Sequence, residues 1–508
     1  MTIALKRESL LGLSFDCECG KTHEVPVKKV LIEYGAVEKI VELIKSLGLS
    51  GQIFLLSDEI TNKIAGKKVE GLLTHAGFKV DSFILKGHPV ADDRTAKLVE
   101  NACGSDNKII VSCGSGTITD LGKWAAFKRN IPQIVVATAP SMNGYASGIV
   151  ALTKDGLKTT DKVRPAVAII ADVKILSEAP IEMIRAGLGD LLSKSVCGAD
   201  WKLSSIICGE HFCERPFELI RDLEELYTKN SAGIGTRDPN VIATLIEALI
   251  FSGISMVIAG SSSPASGGEH LISHFLDMRA KTTHDGAKSD GAKSSELDIF
   301  APSDFAPSWV VFDLHGAQVG VATLSTARLY ERLFKISKKD LKIDSFKNFD
   351  KRCKENIKSI EKIFGEKSKT IIGEYKKKID SCCLSFPPPT QALEGRLQRE
   401  SSLCLKSLDS RLRGNDDLRS KVARCDFIFE GWDEILAAIR PYVKDSNSIK
   451  KVLKDAGAKT HFSELGLTKE QYSEALGLAL AIRNRYTVLD LACTAGLTDE
   501  WIEMEINS

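Results

Sequence analysis

Short apolar, β-branched runs alternate with longer amphipathic stretches through the first third of the chain. The runs "KKVLIEYG", "QIFLLSD", "KVDSFILK", "KIIVSCG", "QIVVAT" and "VAIIAD" read as buried strands. Between several of them lie amphipathic segments of helix length, such as 92–103 and 117–129. This alternation predicts a largely parallel sheet with helices on its faces. From about residue 180 the strand pattern fades. "APIEMIRAGLGDLLSKSVCGADWKLSSII" and "PNVIATLIEALIFSGISMVIAG" space their apolar residues for helices, and the remainder is mostly helical in pattern. The expected architecture is an α/β domain over 1–178 followed by an all-α domain over 179–508.

Two stretches break the pattern. The segment 282–308 is polar, carries Gly and Pro, and repeats "DGAKS". The segment 380–425 contains Pro387, Pro388 and Pro389, which rule out a helix at that point. Its "LDSRLRGNDD" looks like the translated form of repeat elements found in bacterial genomes. Both stretches read as surface insertions or linkers.

The chain's 508 residues, 43% hydrophobic, suffice for a large core and suggest two or three domains. A formal net charge of +1 leaves no global field to attract nucleic acid or an anionic membrane. There is no charged-then-apolar leader and no uninterrupted apolar run of membrane-spanning length, so a soluble, cytosolic protein is expected. The cysteines number 13, an odd count without disulfide-like spacing, and most are expected to be reduced and structural. "CECGKTH" offers Cys17, Cys19 and His23 as half a zinc knuckle. With no second pair at a useful spacing nearby, edge-strand or turn positions are the preferred reading.

"IIVSCGSGTITDLGKWAAF" is an apolar strand, a Gly-Ser-Gly turn and a helix starting near Thr117. Such a turn lets a phosphate approach the backbone, and the helix N-terminus offers unpaired N–H groups. The bland alternative is a tight strand–helix turn. The next strand ends in "ATAPSMNGYAS", crowding Thr138, Ser141 and Ser147 where open α/β sheets bind ligands. Together the two turns point to a nucleotide cleft. At a third strand end, Asp58 fits a ribose contact or a helix N-cap equally well.

Three segments carry metal-ligand chemistry. "AGLGDLLSK" sets Asp190 in an otherwise apolar helix, where a buried carboxylate must find a partner. "GGEHLISHF" puts His270 and His274 on one helix face, and "LHGAQVG" supplies His315. One Asp and two or three His suit a divalent ion with an open position. Each alone reads as an ordinary capping or hydrogen-bonded residue; the set favours metal.

The segments "CGSGTITDLGKWAAF", "ATAPSMNGYASGIVALT", "AGLGDLLSKSVCGADWKLS", "GGEHLISHFLDM" and "LHGAQVGVATL" run in order over about 110–325, and the closing "IRNRYTVLDLA" extends the match. In these the chain resembles the sn-glycerol-1-phosphate dehydrogenases of the dehydroquinate synthase-like, iron-containing alcohol dehydrogenase superfamily. The resemblance implies an α/β N-terminal dinucleotide-binding domain followed by an all-α metal-binding domain. It implies NAD or NADP held by Gly114, Ser115, Gly116, Thr117 and Ile118 and by Thr138, Ala139, Pro140 and Ser141, with Ser147 nearby. Asp190, His270 and His315 would bind one divalent metal, usually zinc in the family and nickel in some bacterial members. Asp190 and His274 would serve catalysis and touch the substrate. The implied reaction interconverts dihydroxyacetone phosphate and sn-glycerol 1-phosphate.

One position departs from the family pattern. Asn143 stands where the family usually has a substrate-contacting Asp, keeping the shape and losing the charge. The expected partner is a small phosphorylated substrate, with no nucleic acid and no membrane span, and a homodimer is left open. Two other readings stay open: a dehydroquinate synthase-like carbocycle lyase, and a catalytically impaired nucleotide-binding relative. Relatives have only a short connection between the "EHLISH" helix and the "HG" segment. The segment 282–308 therefore reads as an insertion between two ligands, tolerable because loop closure costs only about 0.6 kcal/mol per doubling of length.

Overall fold

The six apolar runs become the six strands of one parallel sheet. The computed structural model describes residues 7–219, 221–289, 313–384 and 425–507. A small hairpin, β1 (Ser14–Asp16) and β2 (Thr22–Glu24), precedes the sheet. The sheet strands are β3 (Lys29–Glu33), β4 (Gln52–Asp58), β5 (Val80–Leu85), β6 (Asn107–Gly114), β7 (Gln133–Ala137) and β10 (Ala168–Asp172). They lie in the order β3-β10-β7-β6-β4-β5. Between β7 and β10 a second hairpin, β8 (Ile149–Lys154) and β9 (Leu157–Lys162), stands apart from the sheet.

Burial on both faces explains the unbroken apolar runs of β4, β6, β7 and β10, while the edge strands β3 and β5 are only partly buried. On one face α1 (Ile40–Ser46) and α2 (Lys67–His75) pack Leu43, Ile44, Val69 and Leu73 against Ile53, Leu55, Val111 and Val136. On the other, α3 (Asp93–Ala102) and α4 (Gly116–Arg129) pack Ala96, Val99, Leu121 and Ala125 against Phe54, Leu56 and Ile110. The helices that follow β4 and β6 therefore leave on opposite faces. Between the carboxyl ends of these two neighbouring strands the sheet opens a crevice, the position where doubly wound sheets take ligands.

Among the described residues every strand lies before Val173. The helical half comprises α5 (Ile181–Leu192), α6 (Lys194–Cys208), α7 (Pro239–Ala259), α8 (Gly268–Ser289), α9 (His315–Leu333), α10 (Phe349–Phe364), α11 (Ser368–Leu384) and shorter helices up to Thr498–Ile506. One apolar cluster runs through it, from Leu249 and Phe275 to Tyr330, Trp432 and Trp501. Helix α7 is the one described helix long and apolar enough to cross a membrane. Yet 72% of its apolar stretch is buried inside the protein, so α7 is the spine of the helical core.

The two pattern-breaking stretches meet the structure at their edges. Residues 282–289 prolong α8, and 290–308 lie outside the described residues. Residues 380–384 end α11, Cys425 is already helical, and 385–424, with Pro387 to Pro389, lie outside.

Candidate metal centre

Three helices meet at Asp190, and glycines let them meet. A Cβ on Gly189 would fall 2.1 Å from the carbonyl oxygen of Gly316, and one on Gly316 would fall 1.9 Å from that of Ala186. A Cβ on Gly187 would sit 1.8 Å from the carbonyl oxygen of Pro140, in the loop after β7. Real Cβ atoms tolerate none of these approaches, so the backbones of α5, α9 and this loop touch directly. The contact places Asp190, one residue past Gly189, beside His315, one residue before Gly316. His270 arrives from α8. One ligating atom from each of Asp190, His270 and His315 lies within 4.8 Å of the others.

The hydrogen bonds fix what each ring offers. Ser273 Oγ donates to Gln318 Oε1 at 2.9 Å, because the Gln318 amide nitrogen is itself donating to Asp277 and to the Asp313 carbonyl. A hydroxyl has one proton, so Ser273 must accept from Nδ1–H of His315 at 2.8 Å. That leaves Nε2 of His315 as a lone-pair donor. Burial of the ring, then the charges of Lys158 and His270, push its pKa down to about 3, so the ring is neutral. His270 is set oppositely. Its Nδ1 lies 2.9 Å from Glu269 Oε1 and its Nε2 3.2 Å from Asp190 Oδ1. Burial disfavours its charge, but these two carboxylates win and lift its pKa to about 9. Burial would likewise raise the Asp190 carboxyl. The His270 hydrogen bond, the His270 and His315 charges and the Asn143 amide outweigh it, and the carboxyl stays below its ordinary range.

His274 and Asn143 border this cluster. The His274 ring centroid is 6.1 Å from that of His270 and 5.4 Å from that of His315. Its Nδ1 is buried with no partner among the described residues. Burial and the charge of Arg483 hold its pKa well below the usual value, so this ring too is neutral. The backbone N–H of Asn143 donates to Asp190 Oδ2, and its side-chain Nδ2 donates to Oδ1.

The nucleotide-cleft candidates gather at the crevice. Gly114 ends β6, Ser115 is the N-cap of α4, and Gly116, Thr117 and Ile118 form its first turn. A Cβ on Gly114 would lie 2.5 Å from Ile118, so strand and helix are pressed together at the turn. The segment Thr138, Ala139, Pro140 and Ser141 leaves β7 beside it, with Thr138 N–H on the Gly114 carbonyl at 3.2 Å. Asp58 caps the helix that follows β4, its Oδ1 accepting from the N–H groups of Ile60 and Thr61. Ser147 is 1% exposed, and its hydroxyl is bonded to Gly144, Ile149 and Lys123. Ser147 therefore helps anchor the 138–149 loop.

Lys123 was not expected in any role. It is fully buried under the 138–149 loop, with Nζ 2.7 Å from the Gly144 carbonyl, 3.0 Å from that of Ile149 and 3.3 Å from Asp120. Its only signal in sequence is a charge on an otherwise buried helix face. Glu269, Ser273 and Gln318 were missed because each reads as an ordinary polar helix residue. Arg483 was missed as a single position: its Nη2 is buried and unpartnered among the described residues. Cys17, Cys19 and His23 do lie at strand and turn positions of a hairpin, as expected, but a further candidate ligand reaches them from far along the chain. Cys213 stands against them, with Sγ 3.7 Å from that of Cys17. A partner nearly 200 residues away leaves no spacing to read.

Residues 31–180 match the iron-containing alcohol dehydrogenase family. The chain is 33% identical over 281 residues to the glycerol-1-phosphate dehydrogenase [NAD(P)+] of Bacillus licheniformis, covering 54% of this chain and 70% of that protein. It is 36% identical over 255 residues to the protein of that name from Pyrococcus furiosus, covering 49% and 72%. Among solved structures it is similar to a probable glycerol dehydrogenase from Sinorhizobium meliloti, with a TM-score of 0.52 at 13% identity, covering 94% of this chain and 98% of that one. The glycerol dehydrogenase of Schizosaccharomyces pombe gives 0.53 at 14% identity, covering 95% and 91%. At such identities these two likenesses establish the fold alone.

Proposed function

The chain belongs to the glycerol-1-phosphate dehydrogenase family of the iron-containing alcohol dehydrogenase superfamily, and on that premise we propose that it interconverts dihydroxyacetone phosphate and sn-glycerol 1-phosphate with NAD(P) and one divalent metal. The observation that carries this reading is the paired setting of His315 and Asp190. A neutral imidazole with its tautomer fixed by Ser273 faces a carboxylate kept ionised in a buried place. Metal sites orient their histidines through such outer hydrogen bonds.

Asp190, His270 and His315 would hold the ion, and zinc suits one carboxylate and two imidazoles with a position left for substrate. Nickel fits the same imidazole chemistry. Bound there, a divalent ion supplies Lewis-acid polarisation of a ketone and stabilises alkoxide charge. The protein's own residues do the rest. The Gly114–Gly116 turn and the start of α4 receive the cofactor pyrophosphate, and Thr138 to Ser141 flank the nicotinamide end. Asp58 keeps its capping role, with the ribose as a second contact. His274, held neutral, hydrogen-bonds a substrate hydroxyl through its unpartnered nitrogen. With so low a pKa the imidazolium is not populated near neutral pH, which favours orientation over acid catalysis. Asn143 contacts the same end of the substrate. Arg483 is the candidate for the phosphate, since its charge is felt at His274 and one of its nitrogens has no partner among the described residues.

The test follows NAD(P)H absorbance with dihydroxyacetone phosphate and added zinc or nickel. Steady oxidation that stops on chelation is expected. No oxidation with either metal would overturn the assignment.

A further inference from the structure

Among the described residues one other set of ligating side chains converges, and it lies outside the catalytic cluster: Cys17, Cys19, His23 and Cys213, with their donor atoms all within 4.8 Å of one another. We propose that these four residues bind one structural zinc ion, which fastens the N-terminal hairpin to the helical half.

The distances suit a tetrahedron. Zinc with Zn–S of about 2.3 Å and Zn–N of about 2.0–2.1 Å sets its donor atoms about 3.5–3.8 Å apart. Cys17 Sγ to Cys213 Sγ is 3.7 Å, and Cys213 Sγ to His23 Nε2 is 3.6 Å. Cys19 Sγ to His23 Nε2 is slightly closer at 3.2 Å. The Cys17–Cys213 separation is far beyond the about 2.05 Å of a disulfide.

The hairpin is shaped to present its ligands. Cys17 and Lys21 close the turn, with Cys17 N–H on the Lys21 carbonyl at 3.0 Å and Gly20 N–H on the Cys17 carbonyl at 2.9 Å. Gly20 has φ +82°, which a residue with a side chain rarely adopts. This tight turn carries Cys19, while His23 sits in mid-β2 opposite Phe15, with ring centroids 5.5 Å apart. His23 is itself buried, 4% exposed, with Nε2 turned to the sulfurs of Cys19 and Cys213. Cys213 is only 2% exposed, and the segment that carries it is itself fixed. Trp201 Nε1 donates to the His211 carbonyl at 2.8 Å, and Phe212 packs on Trp201 with centroids 4.9 Å apart. Three thiolates and one imidazole fill four positions, so the site is closed to substrate and structural in kind. Lys21 and Arg215 bring positive charge to balance the third thiolate.

The experiment uses the full-length chain, stripped of metal and reloaded with Co(II). A thiolate-to-cobalt charge-transfer band in the near ultraviolet is expected, and the Asp190, His270 and His315 set cannot give one because it holds no sulfur. The band should persist in His270→Ala and vanish in Cys213→Ser. Zinc-loaded Cys213→Ser should hold one equivalent less zinc than the parent and melt at lower temperature. If Cys213→Ser does not fold, the parent's spectrum still decides. A parent with no such band, or with a Cys17–Cys213 disulfide by mass after purification under reducing conditions, would overturn the proposal.

Discussion

The backbone N–H of Asn143 donates to Oδ2 of Asp190 across 2.7 Å, and its side-chain nitrogen reaches Oδ1 of the same carboxylate at 3.3 Å. The loop after β7 and helix α5 thus share one charge. Asn143→Asp would set a second carboxylate against the first. Without metal, a half-buried carboxylate set against the buried Asp190 repels it, and the variant should melt lower than the parent. With metal the added charge should tighten metal binding and restore a charge-assisted contact worth about 1.5–3 kcal/mol. The expected gain in kcat/KM for dihydroxyacetone phosphate is roughly ten- to a hundredfold. A variant equal to the parent would place Asn143 away from the substrate.

His270→Ala should lose both bound metal and turnover. It also strips Glu269 and Asp190 of their shared partner, and breaking a buried pair costs about 3–5 kcal/mol. Elemental analysis of His270→Gln, which keeps a hydrogen-bonding side chain, separates metal loss from unfolding. Full occupancy of the catalytic site in that variant would exclude His270 as a ligand.

Metal affinity should depend steeply on pH. In the metal-free protein His270 keeps its proton up to about 9, and a metal must displace it. Affinity should rise about tenfold per pH unit up to that point and flatten above it. The metal-free fold should move the other way. A raised pKa contributes stability that is full below the unfolded value of about 6.5 and is lost as pH climbs through about 9. Melting curves with and without metal across this window should therefore diverge.

Gly189→Ala should drive α5 and α9 apart, since its Cβ has only 2.1 Å to the Gly316 carbonyl. Overpacking of this kind costs about 1–3 kcal/mol. Metal affinity should fall at least tenfold, while NAD(P)H binding at the Gly114 turn, which Gly189 does not touch, falls far less. Titrations of each ligand check both halves.

Gly116→Val should do the reverse. Its Cβ would meet Met142 at 3.0 Å, and a branched side chain would crowd the pyrophosphate. Cofactor affinity should drop by an order of magnitude or more with metal content unchanged, as read by fluorescence titration and elemental analysis.

Strands buried on both faces write themselves as unbroken apolar runs, so β4, β6, β7 and β10 were legible; the edge strands β3 and β5 are only partly buried and were legible from their β-branched and aromatic residues. The β8–β9 hairpin was not read, although Asp155-Gly156 between two alternating segments is a strong turn pair. The catalytic candidates were legible because Asp and His are costly inside a helix core. Their supports were not. Ser273 and Gln318 look like any polar helix positions until α8 and α9 pack, and Lys123 is indistinguishable from a surface lysine until the 138–149 loop covers it. Asp58 left two roles open, and the capping bonds show only one of them in place. The hydrogen bond from Lys123 to the Ser147 hydroxyl, between residues 24 apart, likewise had no local signal.

The pairing of Cys17 with Cys213 closes a loop of 196 residues. On a ribosome adding roughly 5–20 residues per second, the hairpin emerges about 10–40 seconds before its distant partner. The whole parallel sheet, ending at Asp172, is synthesised in that interval. The N-terminal hairpin must therefore wait, unlatched, while the sheet assembles behind it, and it can dock only once the first helices of the second half have been made. That order makes the docked hairpin a late marker of folding, and its thiols should be reactive on nascent chains that end before Cys213 and protected in the released full-length chain.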